Sequence, residues 1–142
     1  MKFDWSSFGI EKNSLIDSNV ISKVQKSLGV TFPNTYLDLV TYCDEASPEI
    51  SSFSYGETGT CISEFFSLLP NESQYTVSWY SGKGKPPNLP KDFVPIARDA
   101  GSYLICLNFK NPSVSVEIFD PNSNETFFVA DNFDDFVNMW SE

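Results

Sequence analysis

The stretch Leu89–Leu107, LPKDFVPIARDAGSYLICL, indicates how the centre of this protein folds. Two apolar runs, Phe93–Ala97 and Tyr103–Leu107, flank a break that contains Asp and Gly. Each run has the length and the branched side chains of a buried strand, and the break is typical of a tight turn. The stretch therefore predicts a strand hairpin through the core. Because Pro95 has no N–H to donate, it either makes the first run an edge strand or marks a bulge.

Helical spacing of apolar residues predicts two helices before this hairpin. The first begins at Ser18, which can cap it, and ends at Gly29, which suits the left-handed position just past a helix. The second has Pro33 in its first turn and Tyr36 on its apolar face. The N-terminal half therefore opens with a helix pair, preceded by an arm whose aromatic residues, Trp5 among them, are expected to pack on the core.

Further strands are predicted on both sides of the hairpin. Residues 50–69 form two strands around a connection that contains Gly, and the second of these could begin as a helical turn. Val114–Asp120 and Thr126–Ala130 are two more strands, separated by a Pro-Asn turn.

Two shorter helices and a loop complete the expected order. Asn71 can cap a short helix over residues 72–80, with Glu72 in its first turn. Ser81–Asn88 is the clearest loop, and its Gly and Lys residues do not match a phosphate-binding motif. A last helix is predicted to start with Asp131 as its cap.

Three motifs in this order resemble the SUKH superfamily, which includes bacterial immunity proteins and the fungal Smi/Knr-type regulators. The first is Leu28-Gly29 followed by Pro33 and Tyr36, and the second is the Leu89–Leu107 stretch. The third is an Ala-x-x-Phe-x-x-Phe pattern that begins at Ala130. The resemblance spans roughly residues 18 to 140, although Gln25 stands where the family often has an acidic residue.

The expected fold is a single α+β domain over residues 1–142. Its parts are an N-terminal helix pair, a mostly antiparallel sheet of five or six strands, and a C-terminal helix packed on one face of the sheet. Resemblance to SUKH proteins implies the same architecture. The hydrophobic content of 41% and the aromatic content of 15% agree with a packed globular core.

Charge and residue usage narrow the classes of function. The net charge is −10, which disfavours nucleic acid and anionic membranes as partners and steers basic partners inward. On charge alone, the simpler interpretation is that acidity keeps an aromatic-rich chain in solution. The N-terminus has no signal-peptide pattern and no run is long enough to span a membrane, so we expect a cytoplasmic protein. Three widely spaced Cys are expected to be reduced and buried.

The sequence contains no residue set typical of catalysis. There is no His, which excludes Ser-His and Cys-His nucleophiles and weakens any metal site, so we expect no enzyme activity, no metal and no cofactor. Two acidic clusters, at 44–49 and 131–135, are explained more simply by solvation and by helix capping. Arg98 is the only Arg, and we expect a local salt bridge that fixes the central turn.

The resemblance implies an immunity protein that binds and neutralises a cognate toxin domain. Such toxins belong to contact-dependent or polymorphic toxin systems, and many act on nucleic acid through basic clefts, which a strongly acidic surface would match. The alternative is a non-catalytic regulatory or scaffold protein of the Smi/Knr type. Each candidate partner-binding residue also has a simpler interpretation as a core or solvated residue. The candidates are Asp44, Glu45, Glu49, Tyr55, Glu57, Trp79 and Tyr80.

Overall fold

The computed structural model describes residues 2–71 and 73–142 and has an α+β architecture, as predicted. In chain order, the elements are a 3-10 helix (Trp5–Phe8), α1 (Ser18–Leu28), α2 (Asn34–Tyr42), β1 (Ser52–Tyr55), β2 (Thr58–Phe65), α3 (Val77–Tyr80), β3 (Phe93–Asp99), β4 (Leu104–Asn108), β5 (Ser115–Phe119), β6 (Thr126–Ala130) and α4 (Phe133–Met139).

The six strands form one antiparallel sheet in the order in which they occur along the chain. Each strand pairs with the next, so β1 and β6 are the two edge strands. Strand twist curls the sheet until these edges approach each other. The ring centroids of Tyr55 on β1 and Phe127 on β6 lie 5.4 Å apart. The sheet is therefore a partly closed one, with aromatic side chains filling the gap between its edges.

The bulge predicted at Pro95 is present, and the edge-strand alternative is wrong because β3 lies inside the sheet. Pro95 pairs with Cys106 and Ala97 with Ile105, which leaves Ile96 as the extra residue. The pairing between β2 and β3 ends at Ala97, so no β2 residue lies opposite Pro95. The missing N–H of Pro95 therefore leaves no carbonyl of β2 without a donor. An interior strand can therefore hold a proline without losing a ladder hydrogen bond.

The central turn is held by Asp99 rather than by Arg98. One carboxylate oxygen of Asp99 accepts hydrogen bonds from the backbone N–H groups of Gly101 and Tyr103, both at 2.9 Å. Arg98 does form the expected salt bridge, but its partner is Glu64 on β2. The only arginine therefore links two strands and does not fix the turn.

Two helix caps lie one residue away from the predicted positions. Asp17, not Ser18, caps α1 and accepts from the backbone N–H of Val20 at 3.0 Å. Asn132, not Asp131, caps α4 and accepts from the N–H of Asp135 at 2.8 Å. In each case two neighbouring residues could cap, and backbone geometry decides which side chain reaches the N–H three positions later.

Helix α3 is shorter than predicted. It starts after Thr76, whose hydroxyl accepts from the N–H of Trp79 at 3.0 Å, and not after Asn71. Tyr75 has a φ of 71°, a left-handed conformation that cannot continue a helix. The predicted first-turn residue Glu72 lies outside the described residues. At α1, by contrast, the predicted end is confirmed, because Gly29 has a φ of 69°.

The apolar side of α4 joins the two halves of the domain. Phe136 packs edge-on against Phe53 of β1, with ring centroids 5.0 Å apart. Phe133 makes the same kind of contact with Tyr36 of α2 at 5.6 Å, and also contacts Phe65 of β2. Helix α4 thus covers one face of the sheet, as predicted for the C-terminal helix.

The N-terminal arm packs into this aromatic core, as expected. Trp5 is 1% exposed, and its ring centroid lies 6.4 Å from that of Trp140. Residues near Trp5 form a short 3-10 turn that ends at Gly9, where φ is 79°. Trp5 therefore belongs to the core and not to a partner-binding surface.

The three cysteines are free thiols, and Cys43 and Cys106 are buried, as expected. Cys61 on β2 is only partly buried, so the expected burial is wrong for this residue. Among residues 2–71 and 73–142, no group of side chains is arranged to hold a metal ion. Within the same residues, no helix has the length and apolar character needed to cross a membrane.

We predict that Phe133→Ala lowers the free energy of unfolding by about 3–5 kcal/mol, because it empties a fully buried aromatic site. The matched control is Phe128→Ala on β6, where the side chain is 56% exposed and the loss should stay below about 0.5 kcal/mol. Urea denaturation followed by far-UV circular dichroism measures both changes. Equal losses for the two variants would contradict the assignment of α4 as the main core contact.

Candidate partner-binding surface

Asp44, predicted to lie in a solvated loop, is 2% exposed and has a structural role. Its carboxylate accepts from the Ser67 hydroxyl at 2.6 Å and from the backbone N–H of Leu68 at 2.9 Å. These bonds tie the end of α2 to the segment after β2. The solvated-loop interpretation of Asp44 is therefore wrong, and the loop folds inward at this residue.

Glu45 and Glu49 are exposed and border a cleft that also includes Glu11 and Lys12. The cleft has a volume of about 390 Å³. Burial raises the pKa of the Cys43 thiol at its base, and the charges of Asp44, Glu11 and Glu45 raise it further. This acidic cleft (Glu11, Asp44, Glu45 and Glu49) thus concentrates negative charge beside the N-terminal arm.

Trp79 and Tyr80 are half-buried and pack on their own domain. The Tyr80 ring stacks on Phe66 with centroids 4.2 Å apart. Gly84 lies so close to Trp79 that a Cβ at that position would be 2.3 Å from the indole ring. Both aromatic residues therefore hold the loop after α3 in place, and only part of each remains accessible to a partner.

Tyr55 and Glu57 lie at one end of the sheet, where the β1–β2, β3–β4 and β5–β6 turns meet. Tyr55 is buried against Phe127, whereas Glu57 is exposed on its turn. The residues at these turns, 55–60, 99–104 and 119–126, include no Lys or Arg. We call this the acidic turn surface. Its carboxylates are Glu57, Asp99, Asp120 and Glu125, and Tyr103 is its partly exposed aromatic residue.

Carboxylates of neighbouring turns raise the pKa values of two tyrosines at this end of the sheet. A hydrogen bond to Asp120 raises the pKa of Tyr103, and the nearby charges of Asp120, Asp99 and Glu125 raise it further. Burial raises the pKa of Tyr55, with added effects from Asp99 and Asp120. Carboxylates of the β3–β4 and β5–β6 turns therefore raise the pKa values of Tyr55 in the β1–β2 turn and Tyr103 in the β3–β4 turn.

Two of these carboxylates are also needed by the fold. Asp120 accepts from the backbone N–H of Asn122 at 2.8 Å and from the Ser123 hydroxyl at 2.9 Å, which shapes the β5–β6 turn. Asp99 does the same for the β3–β4 turn. Glu57 and Glu125 are exposed, and they remain available for a partner. The turns thus combine fixed internal charges with free charges at the rim.

The chain matches the family model described as SMI1 / KNR4 family (SUKH-1) over residues 15–139. This protein belongs to the SMI1/KNR4 (SUKH-1) family. The match covers the helix pair, the whole sheet and α4, so the resemblance noted in the sequence motifs is confirmed. Family membership is consistent with a role in toxin immunity. No curated protein matches the chain.

The sheet face opposite α4 in this SMI1/KNR4 protein carries residues that sequence reasoning did not select. Arg98 and Glu64 pair across β3 and β2, next to the pair Ala97 and Phe65 that faces α4. Because side chains alternate along a strand, Arg98 and Glu64 lie on the other face. The Arg98 guanidinium lies 5.2 Å from the centre of the Tyr75 ring, which is 41% exposed.

Further along the same face, Phe128 extends the accessible aromatic area. It pairs with Glu117 on β5. The Glu117 carboxylate accepts from Asn108 at 2.7 Å and from Ser115 at 2.8 Å. Phe128 lies three residues after Glu125, so an exposed aromatic ring adjoins the acidic turn surface. Protein interfaces commonly place aromatic residues at their centre and charged residues at their rim.

These residues were missed because their position depends on strand register. Side chains alternate between the two faces along β6, so Phe127 and Phe128 point to opposite faces of the sheet. This alternation would have indicated that one of the two rings faces away from the core. When antiparallel strands pair in the order in which they occur along the chain, every second turn lies at the same end of the sheet. This rule could have predicted that the β1–β2, β3–β4 and β5–β6 turns lie together. No local signal distinguishes buried Asp44 from exposed Glu45.

We predict that Asp44→Ala lowers the free energy of unfolding by about 1–3 kcal/mol, because it leaves the buried Leu68 N–H without its acceptor. Glu45→Ala, at the neighbouring exposed position, should change it by less than about 0.5 kcal/mol. Thermal and urea denaturation measure the difference. Similar stability of the two variants would show that Asp44 is not needed to join α2 to the sheet.

Proposed function

We propose that this protein is an immunity protein that binds a cognate bacterial toxin domain in the cytoplasm and blocks it stoichiometrically. Membership of the SMI1/KNR4 family over residues 15–139 is the observation that carries this proposal. The family is generally non-catalytic, and the absence of His removes the commonest general base from an enzymatic alternative.

The charge distribution supports a basic partner. The net charge of −10 attracts a cationic domain over the range of a Debye length, which raises the rate of encounter. Toxins that cleave nucleic acid need basic clefts to hold phosphates, so a nuclease domain is the partner class that best matches this surface. The toxin in this proposal belongs to a contact-dependent or polymorphic system.

We propose the acidic turn surface, with Phe128 beside it, as the main contact area. Glu57 and Glu125 supply exposed carboxylates, and Tyr103 and Phe128 supply partly exposed rings. Internal hydrogen bonds hold the turns in shape before binding, so little conformational entropy is lost when a partner docks. The acidic cleft, with the predicted residues Glu45 and Glu49, is the competing candidate.

The experiment that tests the function is co-expression with the protein encoded immediately upstream of this gene. We expect growth rescue and a one-to-one complex in the same cells. Failure of both rescue and complex formation would contradict immunity and favour the Smi/Knr-type regulatory role, for which a pull-down from the native host would be the next step.

Two matched charge-reversal variants map the contact area. We predict that Glu57→Lys/Glu125→Lys weakens toxin binding by roughly tenfold or more, because it replaces favourable charge pairs at the interface with repulsion. Glu45→Lys/Glu49→Lys changes the net charge equally and should keep wild-type affinity within about threefold. Surface plasmon resonance at fixed salt measures both. If Glu45→Lys/Glu49→Lys weakened toxin binding more than Glu57→Lys/Glu125→Lys, the contact area would be the acidic cleft instead.

A further inference from the structure

A groove runs between α1 and the segment that follows α3, at the opposite end of the sheet from the acidic turn surface. It consists of two adjoining cavities of about 310 and 460 Å³. Leu28 and Ser81 line both cavities, so they form the boundary between them. Phe93 at the start of β3 and Phe109 after the end of β4 line the first cavity, which places the groove away from the turns.

The rim of the groove is basic, in contrast to the rest of this acidic chain. Lys85 and Lys91 line the first cavity and Lys23 lines the second, and among the described residues Asp92 is the one acidic residue in the lining. None of these three lysines forms an ion pair with another residue in the described ranges. Three of the nine basic residues thus border one groove, and none of the three is ion-paired within residues 2–71 and 73–142.

The wall of the groove combines apolar surface with small polar groups. Leu28, Val94 and Phe109 supply the apolar part, and Ser27 and Ser78 supply exposed or half-exposed hydroxyls. The Ser81 hydroxyl, at the boundary between the cavities, is buried and has no hydrogen-bond partner among the described residues. Because Ser81 lines both cavities, this hydroxyl lies beside the groove.

The end of α1 affects which anion the groove can accept. Leu28, Gly29 and Val30 line the first cavity, so the C-terminus of α1 borders it. The C-terminus of a helix carries partial negative charge and disfavours a compact, highly charged anion such as phosphate. An extended peptide has N–H groups for such a helix end and carboxylates for the surrounding lysines. An elongated groove with an apolar wall also suits alternating acidic and apolar side chains.

We propose that this groove binds an acidic peptide segment of a partner protein, in which Glu or Asp alternates with apolar residues. Lys23, Lys85 and Lys91 pair with the carboxylates, and the apolar side chains lie against Leu28, Val94 and Phe109. The site is separate from the acidic turn surface and has the opposite charge preference. The protein can therefore hold a basic toxin at one end and an acidic segment at the other.

Fluorescence anisotropy with the full-length protein tests this proposal. The probe is a short fluorescein-labelled peptide of alternating Glu and Leu, and its counterpart has Gln in place of Glu. We expect saturable binding of the Glu peptide that weakens with added salt, and affinity at least roughly tenfold lower for the Gln peptide. Inorganic phosphate at the same concentration should not displace the Glu peptide.

The matched variants are Lys85→Glu/Lys91→Glu in the groove and Lys12→Glu/Lys26→Glu outside its lining, which have the same net charge. We expect the groove variant to bind the peptide at least roughly tenfold more weakly, and the control to stay within about threefold of wild type. Thermal unfolding verifies that both variants fold. Equal loss in both variants, displacement by phosphate, or absence of wild-type binding would overturn the proposal.

Sedimentation velocity without peptide tests whether a second copy of this protein occupies the groove. The proposal expects a monomer at micromolar concentration in low salt. Self-association that Lys85→Glu/Lys91→Glu abolishes would overturn it, because the acidic end of another copy would then be the natural ligand of the groove.

Discussion

The packing of α4 against aromatic side chains is the contact on which the rest of this structure depends. Phe133 and Phe136 contact α2, β1 and β2, although α4 itself follows β6 at the far end of the chain. Helix α4 also contacts both edge strands, β1 and β6, where the twisted sheet curls toward closure. The same curvature gathers three turns at one end, and Arg98, Glu117 and Phe128 lie on the sheet face opposite α4. The proposed contact area is therefore a consequence of how the last helix is held.

Local sequence signals predicted the helices and strands well. They predicted the helix caps and the contacts between distant segments less well. The Leu89–Leu107 hairpin, the Gly29 helix end and the C-terminal helix are present because hydrophobic periodicity and turn chemistry act locally. Caps at Ser18 and Asp131 were wrong by one residue, since two neighbouring polar residues could each serve. The role of Asp44 was wrong because its partners, Ser67 and Leu68, lie more than twenty residues away along the chain. Long-range hydrogen bonds of this kind leave no pattern in a single sequence.

Carboxylates in this protein divide into those that build the domain and those that face solvent. Asp44, Asp99 and Asp120 satisfy backbone N–H groups, whereas Glu45, Glu57 and Glu125 are exposed. Net charge counts both groups alike, but only the second is free to pair with a partner. Charged side chains are also unevenly distributed along the sheet, with the acidic turn surface at one end and the lysine-lined groove at the other. Under the proposed function, this uneven charge would orient a basic partner toward the acidic turns before contact.

Titration of the purified cognate toxin with this protein tests the central claim, that protection comes from stoichiometric binding, most directly. The toxin's own activity is measured as the ratio of the two proteins increases, at a toxin concentration well above the dissociation constant. Stoichiometric binding predicts a linear loss of toxin activity that is complete at one equivalent. Complete loss at a small fraction of an equivalent, with toxin remaining inactive after this protein is removed, would show turnover and contradict it.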